Sequence, residues 1–258
     1  MNTPKRRTKA PKHTVQGARI LGRISGRPAV FYDSRKAGGI LALESASERV
    51  IAQLAELDPR VKSISPQPFA LDVITGKVFK TRAELEDDRK SRQSVDSLRR
   101  DYTPDLLLVL HDDTRIIVEA KDARHLPQGE YLKKLDTARR IFAMRGERFV
   151  LIPLKYDERA PIVYNAERLA LALTQPLAPN VIHDASCKVS TLLANEQIPL
   201  GDLMPQLELD LRMAPSLIVT GVLEADICSG PINRKTLVRA AYGSLSHLEI
   251  LTLEEVKP

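Results

Sequence analysis

With 258 residues and 43% hydrophobic side chains, the chain can bury a sizeable core, which excludes a disordered polymer or a small disulfide scaffold. Aromatic residues amount to 4% and tryptophan is absent, which argues against a protein that reads single strands mainly by stacking bases on rings. The net charge of +6 suits a polyanionic partner, either nucleic acid or an acidic membrane surface.

The charge is concentrated at the start. Lys5, Arg6, Arg7, Lys9, Lys12, Arg19, Arg23 and Arg27 occur with no acid among them, so the remainder of the chain is slightly acidic. Residues 1–28 therefore read as a basic, extended arm that orders on a partner, or equally as a solvated disordered tail. Cys187 and Cys228 are far apart and belong to no Cys-x-x-Cys pair, so a zinc site or disulfide framework is not expected and a cytoplasmic setting is. No apolar run approaches the roughly 18–20 residues that span a bilayer. The basic start lacks the apolar stretch of a secretory signal.

Beyond the arm, residues 44–57 predict a helix, with Val50, Ile51, Leu54 and Leu57 at helical spacing and Asp58-Pro59 as its end. Residues 61–74 predict one or two strands interrupted by Pro66 and Pro68. The charged stretch 77–101 reads as an insertion or a solvated helix. Residues 102–110 (YTPDLLLVL) predict a strand buried on both faces, His111-Asp112-Asp113 a turn, and residues 114–120 (TRIIVEA) the returning strand. A second helix over 130–145 places Tyr131, Leu135, Ala138 and Phe142 on one face, with Gly146 as C-cap. Residues 149–154 predict another buried strand. This order describes a mixed sheet flanked by helices, an α/β architecture spanning 29–160.

A boundary is expected near 157–161. After it, residues 165–174, 185–195, 202–209 and 214–220 predict helices, and Gly221 stops the last. Residues 222–227 read as a strand, Ser229-Gly230-Pro231 as a turn, and 236–241 as a further short element. Helices followed by a small hairpin make the expectation for 161–258 a mainly helical, winged-helix-like domain.

The chemistry resides in Thr103-Pro104-Asp105, thirteen residues, then Glu119-Ala120-Lys121. A hairpin closed at Asp112-Asp113 pairs residues whose numbers sum to about 225, which sets Asp105 opposite Ala120 and beside Glu119 and Lys121. Side chains alternate along a strand, so Glu119 and Lys121 share a face. Carboxylate oxygens are hard ligands that suit Mg²⁺, with Mn²⁺ as a substitute, in one or two ions. A lysine there can orient a water or stabilise charge growing on a phosphorane. The expected metal set is Glu48, Asp105, Glu119 and Ala120, and the expected catalytic set is Glu48, Asp105, Glu119 and Lys121. Glu48 is the choice for the third carboxylate and Glu44 the alternative. The blander arrangement of the same residues is an ion pair at a strand end for Lys121, and for Glu48 a first-turn acid that complements the helix dipole.

Other features are weaker. Lys133, Lys134, Arg139 and Arg140 suit phosphate contact or a solvated face equally. The five histidines show no paired spacing, Gly38-Gly39 is too short for a phosphate loop, and no Gly-x-Ser-x-Gly occurs.

These residues also carry a resemblance. Ser45-Ala46-Ser47-Glu48, Asp58-Pro59-Arg60-Val61, Gln67-Pro68, Tyr102-Thr103-Pro104-Asp105 and Glu119-Ala120-Lys121 resemble the TnsA endonuclease family, within the PD-(D/E)xK nucleases. The similarity runs over about 44–153, with a looser echo over 221–236. It implies a restriction-endonuclease-like fold in which Glu48, Asp105 and Lys121 match the catalytic acid, acid and lysine, with Glu119 where the family accepts Gln or Glu. It also implies one subunit of a heteromeric transposase, cutting the 5′ strands at transposon ends. The implied partners are double-stranded DNA, a DDE-type transposase (TnsB) that cuts and joins the 3′ strands, and an ATP-dependent regulator (TnsC). Ala120-Lys121-Asp122 departs from a commoner Val-Lys-Pro ending. Two other functions fit the same core: a stand-alone restriction or repair nuclease, and a non-catalytic DNA-binding adaptor.

Overall fold

A computed structural model describes residues 13–15, 17–18, 29–91, 101–194 and 196–254. Most of the basic arm and part of the charged stretch after Ser91 lie outside the described residues. The described residues of the arm pack on the fold. Thr14 bridges Ile40, the Ala18 amide donates to the Gln67 carbonyl at 2.8 Å, and Ala18 is buried. Gly17 permits that approach, since a Cβ there would lie 2.9 Å from the Pro66 carbonyl oxygen.

The arm leads to a hairpin absent from the predicted elements, β1 (Val30–Ser34) and β2 (Gly39–Leu43). Helix α1 (Ala46–Leu57) follows, with Ser45 as N-cap accepting from the Glu48 amide. It ends at Asp58, as predicted, and the Asp58 carboxylate is fully buried against a two-point contact with Arg60.

The central sheet has the order β3 (Val61–Pro66), β7 (Leu106–Leu110), β8 (Arg115–Asp122), β9 (Arg148–Leu154). The first two pairings are antiparallel and β8–β9 is parallel, so the sheet is mixed, as expected. A parallel pair needs a crossover, and α3 (Gly129–Met144) supplies it. Gly146 follows that helix at φ +73°, the left-handed C-cap position expected of it.

Alternation along β7 and β8 divides two cores. Leu106, Leu108, Ile116 and Val118 face α1, packing with Val50 and Ile51. Leu107 and Ile117 face α3, packing with Leu135, Phe142 and Phe149. Each such fully buried side chain contributes about 1.5–3 kcal/mol relative to exposure.

Two of these expectations need correction, and a third is met in part. The strand read as 102–110 is two: β6 (Asp101–Tyr102) pairs with β4 (Ala70–Asp72), and Pro104 breaks the run before β7. The stretch 77–101 contains the solvated helix that is one of its two readings, α2 (Arg82–Ser91), together with β5 (Val78–Phe79), which also pairs with β4. The hairpin register sums to 224, with Leu106 opposite Val118, because the loop spans His111–Asp113 and Asp113 takes φ +62°. A three-residue loop ending in a left-handed residue shifts the pairing by one relative to a two-residue turn.

Beyond β9 come α4 (Pro161–Thr174), α5 (Pro179–Leu193), β10 (Ile198–Pro199), α6 (Leu200–Gln206), a 3₁₀ turn (Leu211–Met213) and α7 (Ala214–Val219). The sequence then forms β11 (Leu223–Ala225) and β12 (Leu237–Ala240), in a three-stranded antiparallel sheet of order β10-β12-β11. Helices α4 and α5 start earlier than predicted because each opens on a proline at its first turn, where no amide partner is needed. Leu169, Leu193, Leu203, Leu217 and Leu223 share the core of this region, while Ala166, Leu251 and Leu253 pack against the α1 side of the central sheet.

Candidate active site

Asp105 lies one residue before β7, where the sheet edge opens. Its carbonyl accepts the Gln67 amide at 2.9 Å and its carboxylate accepts the Ala120 amide at 2.8 Å. Continuing the observed register sets Asp105 opposite Glu119, not Ala120, so both carboxylates fall on the face of Leu107 and Ile117. The one-residue correction thus brings Asp105 closer in register to the carboxylate it is expected to neighbour.

Glu119 is 1% exposed. Its Oε2 accepts from the Tyr102 hydroxyl at 2.6 Å and its Oε1 from the Tyr131 hydroxyl at 2.6 Å. Lys121 Nζ stands 2.7 Å from the same Oε1 and 5.2 Å from the centroid of the Tyr131 ring. Burial pulls the Lys121 ammonium toward neutrality, but Glu119 and then Asp105 outweigh it and hold the lysine above its ordinary value.

Glu48 reaches the cluster from the first turn of α1. One oxygen accepts the Glu44 amide and the other the Ser45 hydroxyl, both at 2.8 Å, while the Glu48 amide donates to Ser45 Oγ at 3.1 Å. This is a variant of the capping box in which the carboxylate accepts the amide of Glu44 in place of that of the N-cap Ser45, so Glu48 also serves the helix start, as its blander reading has it. Its position is not thereby exhausted. Burial raises its proton affinity, and Lys121 lies near enough to lower it. Asp105 is pushed well above the usual carboxylate range, by burial first and then by the negative charges of Glu119 and Glu48. Glu44, the alternative, accepts from the Gln67 side chain at 3.2 Å.

The structure therefore brings Glu48, Asp105, Glu119 and Lys121 together at one end of the central sheet. Three of the α3 cations have partners within the protein. Lys133 pairs with Glu130 at 2.8 Å, Arg139 approaches Asp136, and Lys134 donates to the Asp101 carbonyl. Tyr102 and Tyr131 are the site residues that composition and periodicity do not single out. Tyr131 lies on the predicted apolar face of its helix, and only its hydrogen bond to Glu119 reveals it.

Residues 58–153 match the family model of the TnsA-like endonuclease N-terminal domain. The stretch is TnsA-like. It contains the central sheet, both halves of the Asp105/Glu119-Lys121 constellation and α3, and it stops short of Glu48. No curated protein matches the chain.

The donor set of this TnsA-like core can be compared with what a divalent cation needs. Two buried carboxylates, Glu48 and Glu119, and the half-buried Asp105 face one ammonium, an excess of negative charge that a hard cation would offset. Among the described residues, however, no group of three or more His, Cys, Asp or Glu is gathered closely enough to form a ready cage. Both oxygens of Glu119 and both of Glu48 already accept from the protein. The chemistry of the set fits Mg²⁺. Asp105, with one described hydrogen bond, has the most capacity left to hold it.

Proposed function

We propose that this TnsA-like chain is the DNA-cleaving subunit of a heteromeric transposase, hydrolysing phosphodiester bonds in the 5′ strands at transposon ends with Mg²⁺. The observation that carries this is the cluster of the buried Glu48 and Glu119 with the half-buried Asp105 and Lys121 at one end of a mixed sheet, inside and beside the TnsA-like stretch. Asp105 and Glu48 would hold the cation. Mg²⁺ supplies Lewis acidity at the phosphoryl oxygen and makes a bound water a better nucleophile. Lys121, kept charged by Glu119, donates hydrogen bonds to the phosphate as negative charge develops.

The same reading divides the chain into a basic DNA-contacting arm (1–28), the nuclease domain (29–160) and a winged-helix-like partner-docking domain (161–258). Helices α5 to α7 with the small three-stranded sheet, whose strand β10 lies between α5 and α6, support the last of these. The expected partners are the transposon-end duplex, a DDE-type transposase of the TnsB kind and an ATP-dependent regulator of the TnsC kind, in the bacterial cytoplasm. Among the described residues no helix is long and apolar enough to cross a membrane.

A second reading, the non-catalytic adaptor, draws on the saturation of Glu119 and Glu48 by protein donors. Nicking of end-containing duplex by the full chain, with its co-encoded transposase and with Mg²⁺ or Mn²⁺ present or chelated, separates the two. Cation-dependent 5′-strand cuts that vanish in Asp105→Asn are expected. Binding without cuts under every condition would leave the adaptor.

A further inference from the structure

The two phenols on Glu119 have no assigned part in the proposed reaction. Tyr102 comes from β6 and is buried, its ring 6.3 Å from those of Phe142 and Phe149. A phenylalanine would fill that place in the aromatic cluster equally well; the hydroxyl adds a 2.6 Å hydrogen bond to Glu119 Oε2. Tyr131 comes from a different element, the first turn of α3, and is 38% exposed. It donates to Glu119 Oε1 at 2.6 Å and lies beneath the Lys121 ammonium.

A carboxylate offers about four lone-pair sites, and three donors already occupy those of Glu119. The carboxylate is also locked in orientation, since its two oxygens are pinned from opposite elements. We propose that Tyr102 and Tyr131 are positioning residues that dedicate Glu119 to Lys121 and keep it out of the cation's coordination, leaving Asp105 and Glu48 as the cation's carboxylates. Tyr102 is the fixed brace, held by aromatic packing. Tyr131 is the exposed partner that sets the lysine's place through both its hydroxyl and its ring. The role of Glu119 is then to aim and charge the lysine, which a Gln could do in part through its carbonyl oxygen. This rests on the nuclease reading given above.

The test uses the full chain and four variants: Tyr102→Phe, Tyr131→Phe, Glu119→Gln and Asp105→Asn. Mn²⁺ affinity is measured by calorimetry without DNA, and kcat and KM for end cleavage with the co-encoded transposase. Losing one hydroxyl should lower kcat about tenfold, the scale of a missing outer-shell partner, with KM for DNA and the melting temperature little changed. Mn²⁺ affinity should hold within about twofold in Tyr102→Phe, Tyr131→Phe and Glu119→Gln, and fall by about tenfold or more in Asp105→Asn. Affinity that falls in Glu119→Gln as it does in Asp105→Asn would make Glu119 a cation ligand and overturn the proposal. So would wild-type kcat in both phenylalanine variants. Full cleavage by Asp105→Asn is a different failure, one that removes the nuclease reading itself.

Discussion

Asp105 shows how a single residue can set both stability and chemistry. Burial, then Glu119 and Glu48, raise its proton affinity in the folded state. A carboxylate raised in this way stabilises the fold fully below its unfolded pKa of about 3.9, and that contribution is lost as pH rises through the higher folded value. Ionised, Asp105 is therefore a net cost to the fold. Asp105→Asn keeps an acceptor for the Ala120 amide and removes the charge. It should abolish cation-dependent cleavage and raise the melting temperature at pH 7, by about 2–4 °C for each kcal/mol relieved. Melting curves at pH 7 and in acid check this, since the gap between variant and wild type should close as pH falls. At this scale the sequence is informative where chemistry adjoins a strand: Asp105, Glu119 and Lys121 flank apolar runs that exclude solvent, and charged residues there stand out. Tyr102 and Tyr131 do not stand out, because a tyrosine on an apolar face looks like core until its hydroxyl's partner is known.

Elements are legible where periodicity is long. Helix α1, strands β7 to β9 and helix α3 all occur within a few residues of where the pattern predicts them. The misses have local causes. Pro161 and Pro179 read as interruptions in a linear sequence, although a first-turn proline begins a helix as readily as it breaks one. The register differs by one because of Asp113, whose left-handed backbone lengthens the loop. Hairpin β1–β2 is hidden beside the basic arm because neither strand carries a strong turn signal beyond Gly38-Gly39. Two positions in the later region carry expectations of their own. Asn165, fully buried on α4, donates to the carbonyls of Ile227 and Gly230, both at 2.8 Å, and accepts the Ile232 amide at 2.9 Å. Asn165→Ala strands those groups and should cost about 2–3 kcal/mol in urea unfolding. Gly221 adopts φ +72°, and a Cβ there would meet the Gly243 carbonyl carbon at 2.9 Å. Gly221→Ala should cost about 1–3 kcal/mol in the same assay.

For the whole molecule, charge is divided between a basic start and a slightly acidic remainder. Thr14 and Ala18, in the middle of the arm, are tied to the hairpin and to Gln67, next to the strand end that holds Asp105. The DNA-contacting role proposed for residues 1–28 is tested by truncation. Removing residues 1–12 deletes Lys5, Arg6, Arg7, Lys9 and Lys12 but leaves that anchor. The slope of log affinity for duplex DNA against log salt should flatten by up to about 0.9 for each phosphate that the arm no longer neutralises. An unchanged slope would mean that the arm neutralises no phosphate. The division of labour in the proposed transposase is tested most directly by long-read sequencing of insertion junctions made with wild type and with Asp105→Asn. If this chain cuts the 5′ strands, its loss leaves them attached to the donor while the partner still joins the 3′ strands. Simple insertions should then fall and fused donor–target products should rise. The same ratio of simple to fused products from both proteins would contradict a 5′-cutting role.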